Sequence, residues 1–414
     1  MKKFDIPLFY RSPIISELKA IRKLQDPRKK DFSPSVLDFG TIKFFIPRHF
    51  GFCYGVENAI EIAYKAIDEN QGKRIFLLSE MIHNPEVNAD LLSRGVHFLQ
   101  DTSGKQLIEF DSLTSEDIVV IPAFGTTLEI EEKIKEIGVC VEKYNTTCPF
   151  VEKVWNRSEK LGTDQHTIIV HGKYNHEETR ATFSRSAKNA PVLILKDLEE
   201  ATFLAEVIKG AKTSEEFYQY FKGKHTDNFD PKTDLQKVGV VNQTTMLATE
   251  TQEIADFIRA VMIQKYGENE IKQHIADTRD TLCYATNDNQ SANLALIDLD
   301  VDFAFVIGGH NSSNTTHLVE ILETKYPTYF IETERQILSD TTIESFDIHS
   351  KKTEVIEHFI DLNKKPVSVI ITSGASCPDA IVDNVIKRLA TITNSSVSLN
   401  EVFSTFKAQL PSTN

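Results

Sequence analysis

Beyond about residue 50 the chain repeats one pattern: a short apolar run, a polar turn, then an amphipathic stretch of helical period. The apolar runs are RIFLLSE, DIVVIPAF, HTIIVHG, KVGVV, DFAFVIGG and PVSVIITSG. Short apolar strands alternating with helices predict α/β units built on parallel sheets. The turns that follow hold His83-Asn84, Gly125-Thr126-Thr127, Asn175-His176-Glu177-Glu178, Asn242-Gln243-Thr244-Thr245, Asn311-Ser312-Ser313-Asn314 and Ala375-Ser376-Cys377-Pro378. Ligands of open parallel sheets sit beyond the C-terminal ends of the strands, where these six turns are expected.

A longer period overlies the shorter one. Three amphipathic helices open just after a cysteine: Cys53 in HFGFCYGVENAI, Cys148 in YNTTCPFVEKVW and Cys283 in DTLCYATNDNQ. Each is followed by strand, polar loop and helix, twice over. The pattern is a repeat of roles without clear identity between units. It predicts an N-terminal arm over 1–42, α/β domains over 43–147, 148–282 and 283–390, and a C-terminal tail over 391–414. A polar stretch at about 213–237 reads as a surface insertion in the second domain. The arm, broken by Pro7, Pro13, Pro27 and Pro34, reads as a docking or partly mobile extension. A pseudo-threefold arrangement of the units would bring loops and cysteines to one centre.

Composition narrows the class. With 414 residues, 41% hydrophobic and 26% charged, the sequence is that of a soluble globular protein of two or three domains. A net charge of −14 without a long basic run argues against a large nucleic-acid footprint. No apolar run reaches the roughly 18–20 residues of a membrane span. The opening MKKFDIPLFYRSPII lacks the continuous apolar region of a secretory signal. Five cysteines without a close pair fit a reduced cytoplasm better than a disulfide framework.

The chemistry-bearing residues remain ambiguous when taken singly. A helix N-terminus favours a thiolate, and thiolates bind soft metals. Without any CxxC, zinc-ribbon and ferredoxin-type local sites are excluded. A lone cysteine is more often a small buried apolar residue, a reading that suits Cys140. Cys377 precedes Pro378 just as Cys148 precedes Pro149, so the pattern leaves it among the ligand candidates. Three thiolates on a metal leave one coordination position open, for water at a zinc or for a substrate oxygen at an iron–sulfur cluster. His83, His176, Thr244, Thr245, Ser312, Ser313, Asn314 and Ser376 could bind a phosphate at helix N-termini, although each Ser, Thr or Asn could equally be an ordinary cap. No GxxxxGK[ST] is present. Glu178 could pass a proton by way of Thr244, or simply favour its helix dipole. His97, His171, His310 and His317 show no distinguishing pattern.

Taken in order, FGFCYGVENAI, EMIHNPEVN, NTTCPFVEKVW, HGKYNHEET, NQTTM, LCYAT, GGHNSSNT and TSGASCPD resemble the LytB/IspH family, 4-hydroxy-3-methylbut-2-enyl diphosphate reductases, in its longer plant and cyanobacterial branch. The resemblance runs from about residue 50 to 379. It implies three α/β domains around one 4Fe–4S cluster per chain held by Cys53, Cys148 and Cys283, with Cys377 outside the ligand set. It implies diphosphate contacts at His83, His176, Ser312, Ser313, Asn314 and Ser376. Glu178 and Thr244 match the family's proton-delivery pair, with Thr245 beside them. It further implies electrons from a ferredoxin or flavodoxin. Ala123-Phe124-Gly125 departs from the short bacterial branch, where a histidine stands in place of Phe124; Thr126 or Thr127 could compensate. The competing readings are a three-thiolate zinc hydrolase of a phosphorylated metabolite and a non-enzymatic iron–sulfur sensor.

Overall fold

Each of the six apolar runs forms a strand, and each polar turn leads into a helix or its first turn. The computed structural model describes residues 4–276 and 281–408. Its strands are β1 Ser35–Asp38, β2 Ile42–Ile46, β3 Ile75–Leu77, β4 Val96–Phe98, β5 Ile118–Val120, β6 Thr167–His171, β7 Val192–Leu195, β8 Val238–Asn242, β9 Phe303–Ile307, β10 Thr328–Ile331, β11 Thr342–Asp347, β12 Lys352–Glu357 and β13 Val367–Ser373. β6, β8 and β9 are buried at every position, as expected of parallel strands covered on both faces.

The repeat is exact in topology. The three sheets run β4-β3-β5, β7-β6-β8 and β10-β9-β13, and the third continues through β2 to β1. In each, the chain lays down the central strand, steps to one side, then crosses to the other. All these pairings are parallel. β2 joins β13 in parallel and β1 closes the edge antiparallel. The first and third strands of each triplet therefore diverge at a topological switch point, where a crevice opens beyond the carboxyl ends. The six polar loops follow those strands.

By compactness the chain divides into two units. One comprises Met1–Glu57, His83–Val87 and Tyr284–Asn414; the other comprises Asn58–Ile82 and Asn88–Cys283. The first unit holds the β10-β9-β13-β2-β1 sheet. The sequence boundary at residue 43 cuts through β2, whose Phe44 lies opposite Val369 of β13. The arm docks in this unit. Helix Pro13–Gln25 has Pro13 at its first position and a Ser12 cap that accepts from Ile15 N–H. It buries Ile14, Ile15, Leu18 and Ile21 in a core shared with Leu37, Phe44, Phe305 and Val385. Burial stabilises by about 1.5–3 kcal/mol for each side chain of this size. The tail is structured too: helix Leu399–Ala408 inserts Val402, Phe403 and Phe406 into the same core.

The second unit holds the other two triplet sheets. Here one expectation is corrected. The stretch at 213–237 is no surface insertion in packing terms, because Phe217, Phe221, Phe229 and Leu235 enter the core beneath β6, β7 and β8. Its short helix Ser214–Tyr220 starts with a capping box between Thr213 and Glu216. Polar residues between the aromatics mask the apolar spacing in the sequence. The sequence reading also missed the strand laid down second in every triplet (β4, β7 and β10), which flanks the central one.

Candidate functional site

The second unit brings Glu178, Thr244 and two cysteines into one neighbourhood. Glu178 lies in the first turn of helix Glu177–Ala187 after β6, and Thr244 follows β8. Since β6 and β8 pair directly, their loops are adjacent. Glu178 Oε1 accepts Thr244 N–H at 2.5 Å, and Oε2 accepts the Thr244 hydroxyl at 2.9 Å. Both residues are buried, Glu178 at 1% exposure. A carboxylate is kept in such a place only with dedicated donors. His176 caps the helix, its Nδ1 accepting Glu178 N–H at 3.2 Å, so the neutral ring carries its proton on Nε2. Phe124 packs edge-on against His176 with ring centroids 5.4 Å apart. Thr127 caps helix Leu128–Glu136 and Thr126 is buried.

Gln243 was passed over in the sequence, yet it ties these loops together. Its Oε1 accepts Thr179 Oγ1–H at 3.0 Å and Lys173 N–H at 3.1 Å, and its Nε2 donates to Thr245 Oγ1 at 2.7 Å. The clue was a second amide, one residue past Asn242 at the end of the apolar run VGVV, where burial forces it to find partners. Gly172 allows the close approach: a Cβ there would lie 2.6 Å from Thr179 Oγ1 and 3.0 Å from Gln243 Cβ.

The first unit gathers the serine and asparagine loops. Ser312 caps helix Ser313–Glu323, accepting Thr315 N–H at 3.3 Å and Thr315 Oγ1–H at 3.0 Å. Asn314 Oδ1 accepts Ala375 N–H at 2.9 Å, and Ala375 O accepts Cys53 N–H at 3.2 Å. Ser376 Oγ donates to His83 O at 3.0 Å. His83, Ser312, Ser313, Asn314 and Ser376 are all buried. The buried Asn314 Nδ2 has no hydrogen-bond partner among the described residues. A buried amide donor in that state is unusual and suits a ligand oxygen.

The cysteines open helices as expected: Tyr54–Glu69, Pro149–Thr163 and Tyr284–Leu294. Cys53 and Cys148 are half-buried and Cys283 is buried. The thiolate expectation needs correction for Cys148. Burial pushes its thiol up to about 12, outweighing the amides of Phe150 and Val151; the nearby Cys283 and Glu178 add to the rise. A metal that displaces the proton would remove that penalty. Cys377 belongs to the apolar core at 0% exposure, and burial raises its thiol strongly. Cys140 is exposed, contrary to the buried reading. Its neighbours Val139 and Val141 point inward, and alternation turns Cys140 outward. Among the described residues no three His, Cys, Asp or Glu side chains form a preformed metal site. The donor chemistry of Cys53, Cys148 and Cys283 nonetheless fits a soft iron–sulfur group, whose ligands must be deprotonated on loading. No helix among the described residues is long and apolar enough to cross a membrane.

Comparison with known proteins accords with this arrangement. A 4-hydroxy-3-methylbut-2-enyl diphosphate reductase from a Cyanothece species is 38% identical over 362 residues, covering 87% of each chain. One of the same name from a Synechococcus species is 40% identical over 354 residues, covering 85% of this chain and 86% of its own. Among solved structures, E-1-hydroxy-2-methyl-but-2-enyl-4-diphosphate reductase from Plasmodium falciparum superposes with a TM-score of 0.59 at 20% identity, over 85% of this chain and 88% of that one. A structure of (E)-4-hydroxy-3-methyl-but-2-enyl diphosphate reductase gives a TM-score of 0.50 at 24% identity, over 84% and 98%. These two likenesses establish the fold, three α/β domains. The sequence model of the LytB protein family matches residues 45–390, and the chain belongs to that family.

Proposed function

We propose that the chain reduces 4-hydroxy-3-methylbut-2-enyl diphosphate to isopentenyl and dimethylallyl diphosphate, the last step of the non-mevalonate isoprenoid pathway. The observation that carries this reading is the buried Glu178–Thr244 pair, an acid and a hydroxyl in contact beside two cysteines. In this reading Cys53, Cys148 and Cys283 hold one 4Fe–4S cluster. Such a cluster, held by these three thiolates, would supply single-electron transfers and Lewis acidity toward the substrate hydroxyl.

The protein's own residues bind the substrate and handle its protons. Asn314 Nδ2, the Ser312 hydroxyl and the first amides of helix Ser313–Glu323 offer donors to the diphosphate, and the Ser376 hydroxyl joins them by turning from His83 O to the ligand. His83 and His176 complete that set, His176 presenting Nε2–H. With Glu178 protonated on Oε2, its O–H passes a proton to Thr244 Oγ1 across the 2.9 Å contact while Thr244 Oγ1–H gives its own proton to the leaving oxygen. Phe124 lines His176 with an apolar edge and carries no charge to the diphosphate.

Five cysteines without a close pair in the sequence support a reducing, cytoplasmic compartment. The electrons come from a ferredoxin or flavodoxin. The test is anaerobic reconstitution with iron and sulfide, followed by turnover of the diphosphate with reduced viologen. Loss of the hydroxyl with formation of both products is expected. A colourless protein holding stoichiometric zinc, or a reducible cluster without turnover, would refute the assignment.

A further inference from the structure

Charge is unevenly distributed in this acidic chain. The total is −14, yet residues 1–34 hold nine Lys and Arg against four Asp and Glu. Lys19, Arg22 and Arg48 are engaged by Asp379, Asp31 and Asp26. Lys23, Arg28, Lys29 and Lys30 are exposed and make no ion pair among the described residues. Although the Lys29 residue is exposed overall, partial desolvation of its ammonium and then Arg48 depress it; Asp288 opposes this and Lys19 and Lys23 add to it, so these cations share one field. The field reaches the Cys53 helix: Glu57, in its first turn, feels Lys19, Arg11 and Lys29.

The same arm presents apolar anchors. Leu8 and Leu24, both 82% exposed, are the most exposed large apolar side chains among the described residues, and Phe9 is 51% exposed. Leu24 directly follows Lys23 and precedes Arg28. An exposed apolar anchor next to cations in the chain, as Leu24 is to Lys23, is the make-up of a protein–protein contact.

We propose that this face of the N-terminal arm docks an acidic one-electron carrier protein, the donor for the reduction proposed above, on which this inference rests. Two electrons and two protons turn the substrate's C–OH into C–H and water, so two carriers are oxidised per turnover. A carrier with negative surface charge is repelled by the chain as a whole, and a local basic patch steers it to one place. A lipid surface fits less well. The apolar stripe of helix Pro13–Gln25 (Ile14, Ile15, Leu18 and Ile21) is already buried and cannot enter a bilayer interface. Nucleic acid would meet the acidic remainder of the chain.

The test uses the full iron-loaded chain with a reduced plant-type ferredoxin and, separately, reduced methyl viologen. The triple variant Lys23→Glu/Arg28→Glu/Lys30→Glu should lose about tenfold or more in kcat/KM for ferredoxin at low ionic strength, mainly through KM. Its salt dependence should flatten while viologen-driven turnover stays unchanged. Leu24→Ser should raise the ferredoxin KM without altering the salt slope. Ferredoxin binding followed by NMR line broadening should weaken in parallel, and needs no turnover. Unchanged ferredoxin binding in both variants overturns the proposal, as does binding of anionic vesicles or of DNA in place of ferredoxin. A wild-type chain that binds ferredoxin but turns over with neither reductant refutes the proposed activity and leaves the docking face standing.

Discussion

Glu178 holds Thr244 with both carboxylate oxygens, one on the backbone N–H at 2.5 Å and one on the hydroxyl at 2.9 Å. The two contacts serve different ends. The first fixes the loop after β8; the second leaves a hydroxyl poised between an acid and whatever lies beyond it. Glu178→Gln separates them. The Gln carbonyl still accepts the backbone N–H, but the amide has no proton to give. Turnover with viologen should fall by about 100-fold or more while iron content and thermal midpoint hold. A Gln variant at wild-type rate would remove Glu178 from proton delivery.

Serine replacement sorts the cysteines. Cys53→Ser, Cys148→Ser and Cys283→Ser should each lower iron from about four per chain, as a cubane cluster requires. Cys377→Ser should keep its iron. It instead places a hydroxyl in a core position of 0% exposure, at a cost of about 1–3 kcal/mol in stability. Iron and sulfide counts beside melting curves check both halves. Iron loss in Cys377→Ser at unchanged stability would return it to the ligand set.

Much of this was legible in the sequence, and the failures have physical causes. The six strands preceding polar loops were readable because each is an apolar run ended by a turn. β4, with only Val96 fully buried, gave no such run. β2 carries its own strand pattern, but pairing with Val367–Ile370 joins segments more than 300 residues apart, which local pattern does not encode. Phe217 and Phe221 were hidden among Glu, Gln and Lys, although their four-residue spacing lines one face of a turn of helix. Gln243 was missed because an amide says nothing until its three partners are seen.

A glycine guards the loop that carries His83. A Cβ on Gly309 would stand 2.5 Å from the His83 carbonyl oxygen, the atom that accepts Ser376 Oγ–H. Because the obstacle is backbone, Gly309→Ala must displace the loop. The expected results are a KM for the diphosphate raised about tenfold and a stability loss of about 1–3 kcal/mol. Steady-state kinetics and urea midpoints measure them. An unchanged KM would detach this loop from substrate binding.

His310 should make the fold sensitive to acid. Its ring stacks on Phe346 at 4.3 Å and 11°, and meets the edge of Phe330 at 4.9 Å. Burial pushes its pKa down to about 4, although Glu332 Oε1 lies 3.7 Å from Nδ1. The unfolded chain takes up this proton near pH 6.5, whereas the folded chain resists until about pH 4. The unfolded state therefore binds more protons in that window, and stability falls as pH falls through it. Nothing is lost above pH 6.5 from this group, and the loss levels off below about pH 4, after about 3 kcal/mol. His310→Gln lacks the titration. At pH 7 the variant should be the less stable, because it gives up the stacked ring. The gap to wild type, read from urea midpoints, should narrow steadily toward pH 4.5. A gap that stays constant with pH would show that His310 does not titrate differently on folding.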